Sequence, residues 1–531
     1  MQDHDYIIIG AGSGGGFAAL RLSENQDARV LILEAGLSDA HWTTRIPAGA
    51  RYTFDGGPRT WSFETEPEPH MSGRRLMQPR GKVVGGSSSL NGMVYVRGNR
   101  QDFDAWAANG APGWAWDDVL PHFRAIEAYA QGADAFRGGA GPVKVCKNQI
   151  LHSIENAFLR ASAQAGHALP EDYNGSDQRG ATAFDSNIDE GWRSGTARAC
   201  VNPAATRPNV TLVTEADVTR LVIENGRAVG IAYRHKGTDR IVRTDGEIIL
   251  AAGAFQTPQL LMLSGLGPAD HLREHGIEVV ANLPGVGENL QDHLEVRLKF
   301  KSPHKGISQN HLLRRHRVIL AGIQWYLFKS GPAARAPSRV GGFFQSSEDA
   351  GFPDIQFHFW PYFLEGWSPP PDKDGYCFDV GPVRSESRGW VRLRSADPFD
   401  APLIQLNGLS ADCDMQLFRR AIEIAREIAA QSAFDFCRGP EVSPGPDVTS
   451  DVDIDAYVRA NANSAYHPCG TAKLGRDAMA VVDAGGRVHG VEALRIADAS
   501  IMPTITNGNI NAPVMMIGEK IAAHILGRSG P

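Results

Sequence analysis

Three glycines and a glutamate near the start of the chain have the types and spacing to hold a nucleotide. Gly10, Gly12 and Gly15 break an apolar run at 5–9. A helix-like stretch follows at 17–22, and a second apolar run at 30–33 ends at Glu34. Strand, glycine turn, helix, strand and terminal acid is the layout that binds an ADP moiety. Gly10 allows the tight turn, Gly12 lets the backbone approach a pyrophosphate, and Gly15 lets helix and strand pack closely. The helix N-terminus then faces the phosphates. Glu34 is placed to accept hydrogen bonds from a ribose diol, and it would repel the 2′-phosphate of NADP. NAD and FAD both remain open on this motif.

Several other segments must form the frame. Gly85, Gly86 and Ser87 to Ser89 sit in a glycine- and serine-rich loop spanning 79–93, which offers backbone N–H groups to anions and flat rings. The apolar run 93–96 follows at once, so the loop is expected inside a domain. A second α/β block covers 209–267. It has strands at 209–213 and 218–223, a hairpin turn at Asn225-Gly226, a returning strand at 228–233, a buried strand at 247–252, and a helix opened by Thr257-Pro258. Between about 300 and 465 the texture changes to clustered aromatics, an alternating strand at 390–394 and helical spacing over 412–428. That stretch is expected to form an antiparallel sheet with helices.

The 531 residues exceed what one core usually supports. The net charge of −7 is mild and no basic block tracks phosphates, which argues against nucleic acid. The six cysteines are scattered without CxxC pairs, and no His and carboxylate cluster suggests a metal. No apolar run approaches a membrane span. The nucleotide motif starts almost at Met1 with no apolar leader before it, so a cytoplasmic protein is expected.

Taken in order, five blocks resemble the glucose–methanol–choline (GMC) oxidoreductases. They are the glycine turn with Glu34, the loop 80–89, Gly253 to Pro258 with Ser264 to Gly267, Leu283 to His293, and His467 with Asp498 to Ser500. The resemblance implies an α/β fold. An FAD-binding Rossmann-like domain would be assembled from 1–150, 195–300 and 466–531. An antiparallel-sheet α+β substrate domain would comprise 151–194 and 301–465. It implies FAD with its ADP part on Gly10, Gly12, Gly15 and Glu34, and its ring at the loop carrying Val84, Gly85, Ser88, Asn91 and Gly92. The backbone of Val218 would meet the adenine, and Asp498 the pyrophosphate–ribityl region. Leu90 stands where some members carry a histidine bonded to the flavin, so non-covalent FAD is expected.

The family reaction takes a hydride from an alcohol carbon to flavin N5, with His467 matching the catalytic base. Aligned without gaps from Asp498, Asn509 matches a second polar residue, with Asn511 the rival two positions on. Tyr466, Trp367 and His358 are candidates for the substrate pocket; ordinary core packing is the alternative for each. His358 and Trp360 share a face if their stretch is a strand. The aromatic residues point to a primary alcohol of aromatic or allylic type. Arg339 replaces the glutamate that choline-oxidising members carry before a Gly-Gly-Phe segment, which argues against a quaternary ammonium. Lys301 to Arg317 is a basic stretch that could lie over the pocket entrance. Two rivals share the fold: an FAD-containing hydroxynitrile lyase and a non-catalytic flavoprotein. Oxygen and a quinone-type or dye-type acceptor are both open, with the small Ala465 leaning toward oxygen.

Overall fold

The first two apolar runs are parallel neighbours because both are buried on both faces, which only a covered sheet tolerates. In the computed structural model, which describes residues 4–53, 56–366, 370, 372–528 and 530, a five-stranded sheet runs Val210–Val213, Val30–Leu33, Tyr6–Ile9, Glu247–Leu250, Leu494–Ile496, all parallel. The carboxyl ends of its strands deliver the glycine turn after Ile9, Glu34 after Leu33, the 251–253 turn, and Asp498. That edge is where open α/β sheets place ligands. The helix Ser13–Leu22 crosses one face and packs on the last long helix, Asn511–Ile525. A Cβ on Gly15 would lie 2.1 Å from Gly10 O, so the close helix–strand approach requires glycine there.

The expected hairpin forms from Ala216–Glu224 and Arg227–His235, with Asn225 and Gly226 both at positive φ (51° and 76°) as a type I′ turn needs. A third strand, Thr238–Arg243, extends it. The helix at 253 begins earlier than Thr257-Pro258 suggests: it spans Gly253–Leu263 with Pro258 inside. A proline there removes the N–H that would bond Ala254 O. Thr471 Oγ1 donates to that carbonyl instead, at 2.6 Å.

The second sheet is antiparallel: Glu441–Ser443, Leu294–Lys301, Gly375–Pro382, Ile355–Trp360, Val340–Phe344, Gly180–Ala183. One face packs with the helix Asp412–Ala429 in a second apolar core around Phe359, Phe378 and Phe418. From the other face, Glu295, Gln356, His358, Trp360 and Asp379 extend as a polar band. Gln356, His358 and Trp360 share that face of one strand, as alternation requires.

A short strand, Asn463–Ser464, pairs antiparallel with the start of Leu294–Lys301. Further along, Gln291 and Cys469 bond each other through both backbone pairs. Between these contacts one chain spends Asp292 and His293, the other 465–468. The longer side bulges, and His467 rides on the bulge.

Replacing Thr471 by Val should leave the Ala254 carbonyl buried without a donor. The expected cost is ~1–3 kcal/mol, seen as a lower Tm; an unchanged Tm would contradict the role given to that hydroxyl.

Candidate active site

One cavity of ≈ 1150 Å³ runs between the two sheets. That exceeds the ~300–1,000 Å³ of an ordinary ligand pocket, so a dinucleotide and a small substrate both fit. Gly10, Gly12, Ser13, Glu34 and Val218 line its nucleotide end. A Cβ on Gly12 would meet nothing closer than Gly86 Cα at 4.0 Å, leaving the cavity free to come up to the backbone. The helices starting at Ser13, Gly253 and Asn511 all present their first turns to the cavity, and such helix N-termini suit a pyrophosphate, although Asp498 takes the Gly253 N–H. Glu34 is 5% exposed and accepts from Ala11 N–H (2.9 Å) and Gly36 N–H (2.8 Å). Burial pushes its carboxyl up to about 7, so donors from a ribose diol would favour the ionised form. These residues fit the ADP half of FAD.

The loop 85–93 meets the cavity along part of its length. Asn91 and Gly92 line the cavity, with Gly86, Ser87, Leu90 and Met93; Val84, Gly85 and Ser88 do not. The turn Gly86–Ser89 is a tight 3-10 helix that aims Ser88 inward. There its hydroxyl donates to Gly85 O at 2.6 Å and meets Thr196 Oγ1 at 2.6 Å. Gly85, at φ 90°, makes the turn possible. Asp498 lines the cavity, but its carboxylate is committed to Gly253 N–H, Thr257 Oγ1 and Ser500 N–H. It ties the helix at 253 to the last strand.

At the far end stand His467, Tyr466 and Asn509. The bulge that carries them is clamped by Asp292, whose Oδ1 accepts the His467 N–H at 2.7 Å and whose Oδ2 takes the Ser464 hydroxyl. Ser464 Oγ in turn accepts the Tyr466 N–H at 2.8 Å, and Tyr466 sits at φ 66°, a strained conformation for a ring-bearing residue. Arg80 lies close enough to Asp292 to attract it, and loss of water brings the guanidinium down to about 10.

The state of the base follows from its neighbours. His293 Nε2 lies 3.1 Å from Val383 O, which can only accept, so that nitrogen carries the proton. Burial lowers His293 to about 3, so its ring is neutral and Nδ1 holds a lone pair. His467 Nδ1 lies 3.0 Å from that lone pair and must donate to it. The His467 lone pair is therefore on Nε2, facing the Asn509 amide nitrogen at 3.1 Å. Asn509 Oδ1 accepts from Gln356 Nε2 at 3.1 Å, which fixes the amide the same way round. Burial first, then His293, His358 and Arg80, hold His467 well below 6.5. Asn511 instead accepts from Ser13 Oγ at 2.7 Å, so the pairing with His467 belongs to Asn509.

His358 lines the cavity 3.6 Å from Glu295, whose carboxyl burial raises. Arg339 also lines it, but its guanidinium is paired with the fully buried Glu155 at 2.7 Å. The bare positive charge expected at 339 is thus balanced. Trp367 lies outside the described residues. From the basic stretch, Gln309, His311, Leu312 and Leu313 reach the cavity wall. Sequence reasoning missed Asp292, His293, Glu295 and Gln356. The adjacent polar pair Asp292-His293, directly before an alternating strand, was the available signal.

The GMC oxidoreductase family models match residues 4–295 and 385–518. This chain belongs to the GMC oxidoreductases. It is 45% identical over 533 residues to the oxygen-dependent choline dehydrogenase of Brucella suis biovar 1 (strain 1330), covering 99% of this chain and 96% of that one. Its likeness to the protein of the same name from Sinorhizobium medicae (strain WSM419) is 45% over 527 residues, with 99% and 96% covered. Among solved structures it resembles pyridoxine 4-oxidase from Mesorbium loti, with TM-score 0.90, 30% identity, and 98% and 99% of the two chains covered. It also resembles the formate oxidase of Aspergillus oryzae RIB40, with TM-score 0.92, 29% identity, and 99% of each chain covered. The GMC member described here is therefore an FAD-dependent oxidoreductase acting on CH–OH groups, with a Rossmann-like FAD-binding part and a sheet-based substrate part.

The depressed His467 pKa puts the neutral, proton-accepting form at full strength above pH 6.5. Flavin reduction by an alcohol should hold its rate as pH falls to 6.5 and decline only below it; a decline centred above 6.5 would contradict the assignment. His293→Leu should cut the reduction rate at least ~10-fold and up to ~10⁴-fold, the loss known when an imidazole takes the wrong tautomer, with FAD still bound. His293→Gln, able to donate to Val383 O and accept from His467, should keep most of it.

Proposed function

We propose that this GMC enzyme oxidises a primary alcohol to an aldehyde with His467 Nε2 as the base. The observation that carries the reading is the His293–His467–Asn509 chain, which leaves one lone pair and one amide N–H side by side at the cavity wall. An alcohol oxygen that displaces the Asn509 amide from the His467 lone pair gives its proton to His467 Nε2 and accepts from Asn509 Nδ2. His467 then holds the proton while Asp292 and His293 keep its ring in place. Bound FAD supplies the acceptor for the hydride that leaves the alcohol carbon. We infer that FAD is held without a covalent link, since Leu90, a hydrocarbon, occupies the matching place on the cavity wall.

For the substrate we favour a neutral alcohol with an aromatic or allylic group. Tyr466, Trp360 and Tyr362 line the cavity near His358 and supply flat apolar walls. Arg339 with Glu155 is a neutral pair, so it neither draws nor repels a cation. A second reading is a quaternary-ammonium alcohol. Two observations favour it: the carboxyl of Glu295 on the cavity wall, and the choline dehydrogenase relatives.

Anaerobic flavin bleaching with a panel of alcohols separates these. Benzylic alcohols should bleach the flavin faster than choline. Equal or faster bleaching by choline would move the assignment to the second reading, and no bleaching by any alcohol would favour a lyase. His467→Ala should slow bleaching by ~10²–10⁴-fold; a loss under ~10-fold would remove the base from His467.

A further inference from the structure

The helix Arg315–Phe328 is apolar on the wrong side. Its inner face, Val318, Ala321, Gly322 and Trp325, already packs on the protein, with Trp325 against Ile46 and Ala333. Its outer face carries Ile319, Leu320, Ile323, Tyr326, Leu327 and Phe328, each between 50% and 73% exposed. A helix apolar all round belongs inside something, and contiguous exposed apolar surface of this kind marks an interaction site. Two aromatic residues extend the patch: Trp42 and Tyr52, 48% and 41% exposed, lie on the segment that packs on this helix through Ile46 and Ala48.

The charge beside the patch says what covers it. From Lys301 to Ser347 the chain has eight Lys and Arg residues and no Asp or Glu, within a protein of net charge −7. Arg314, Arg315 and Arg317, at the start of the helix, are exposed and have no ion-pair partner among the described residues. A second copy of the chain related by a two-fold axis would bring two such basic faces together, which costs free energy. Anionic headgroups beside an apolar layer match both features at once. With 14 residues the helix is ~21 Å long, short of the ~30 Å hydrocarbon layer, and no described helix is long and apolar enough to cross a membrane.

We propose that the helix Arg315–Phe328 lies in the surface of an anionic phospholipid bilayer, its outer side chains in the acyl boundary and Arg314, Arg315 and Arg317 among the headgroups. Trp42 and Tyr52 anchor the same surface at headgroup level. Val318, Ala321 and Gly322 on the inner face of the helix line the cavity, as do Trp42 and Tyr52, so docking sets the substrate cavity against the lipid boundary. The proposal stands apart from the identity of the alcohol.

Flotation of the full-length, FAD-loaded protein with vesicles tests it. The protein should float with 3:1 phosphatidylcholine:phosphatidylglycerol vesicles and much less with phosphatidylcholine alone. Replacing Arg314, Arg315 and Arg317 together by Gln should lower the partition coefficient ~100-fold, given the contribution of each basic residue near an anionic surface. Replacing Leu320, Leu327 and Phe328 together by Ser should abolish flotation. Both triple variants should keep their flavin content and Tm, since none of these side chains lines the cavity. Failure of the wild-type protein to float with the anionic vesicles would overturn the proposal. So would a dimer in solution that the Leu/Phe triple variant splits into monomers, because the patch would then be covered by a second copy.

Discussion

Two antiparallel contacts, Gln291 with Cys469 and Leu294 with Ser464, pin the ends of a segment that is two residues long on one side and four on the other. That mismatch is the constraint on which the active site depends. The surplus residues must bulge, and the bulge lifts His467 out of the ladder and into the cavity. Asp292, on the short side, accepts the His467 N–H and the Ser464 hydroxyl, and so converts a loose bulge into a fixed one. His293, the next residue along, is then set against the His467 ring with no freedom left to choose a tautomer. The strained φ of Tyr466 is held by the same clamp.

The two sheets contribute different things to the one cavity. The parallel sheet ends in backbone: a glycine turn, three helix starts and two buried carboxylates, a surface suited to a nucleotide and a pyrophosphate. The antiparallel sheet presents side chains in a polar band, from Glu295 through His358 and Gln356 to Asn509. Low polarity around His467 keeps it neutral and able to take a proton, while the hydrogen-bond chain decides which nitrogen takes it. Burial alone would give a weak and undirected base; the network alone, in water, would leave the ring partly protonated at neutral pH.

The nucleotide end was largely legible in the sequence because it is local. Gly10, Gly12, Gly15 and Glu34 sit within one strand–turn–helix–strand unit whose geometry follows from residue type. The Asn225-Gly226 hairpin and the long helix ending at Ala429 were legible for the same reason. His467 and Asn509 were reached through family resemblance, since an isolated histidine before a proline carries no signal of its own. The clamp was not legible. Asp292 and His293 act on His467 across 174 residues of chain or more, through a register that only pairing of distant strands sets. The direction of the Ser88 hydroxyl is set by a single 3-10 turn, which the glycine- and serine-rich composition of the loop does not reveal. The helix at 253 began early because Thr471, far along the chain, supplies the donor that Pro258 lacks. The neutral pairing of Arg339 was not legible, because its partner Glu155 lies 184 positions away.

The central claim is that the resting base carries its proton on Nδ1 and a lone pair on Nε2. Neutron diffraction from a crystal of the FAD-loaded protein exchanged into D₂O tests this most directly. The account predicts deuterium on His467 Nδ1, directed at His293, deuterium on His293 Nε2 directed at Val383 O, and none on His467 Nε2. Deuterium on His467 Nε2, with or without a second on Nδ1, would contradict it.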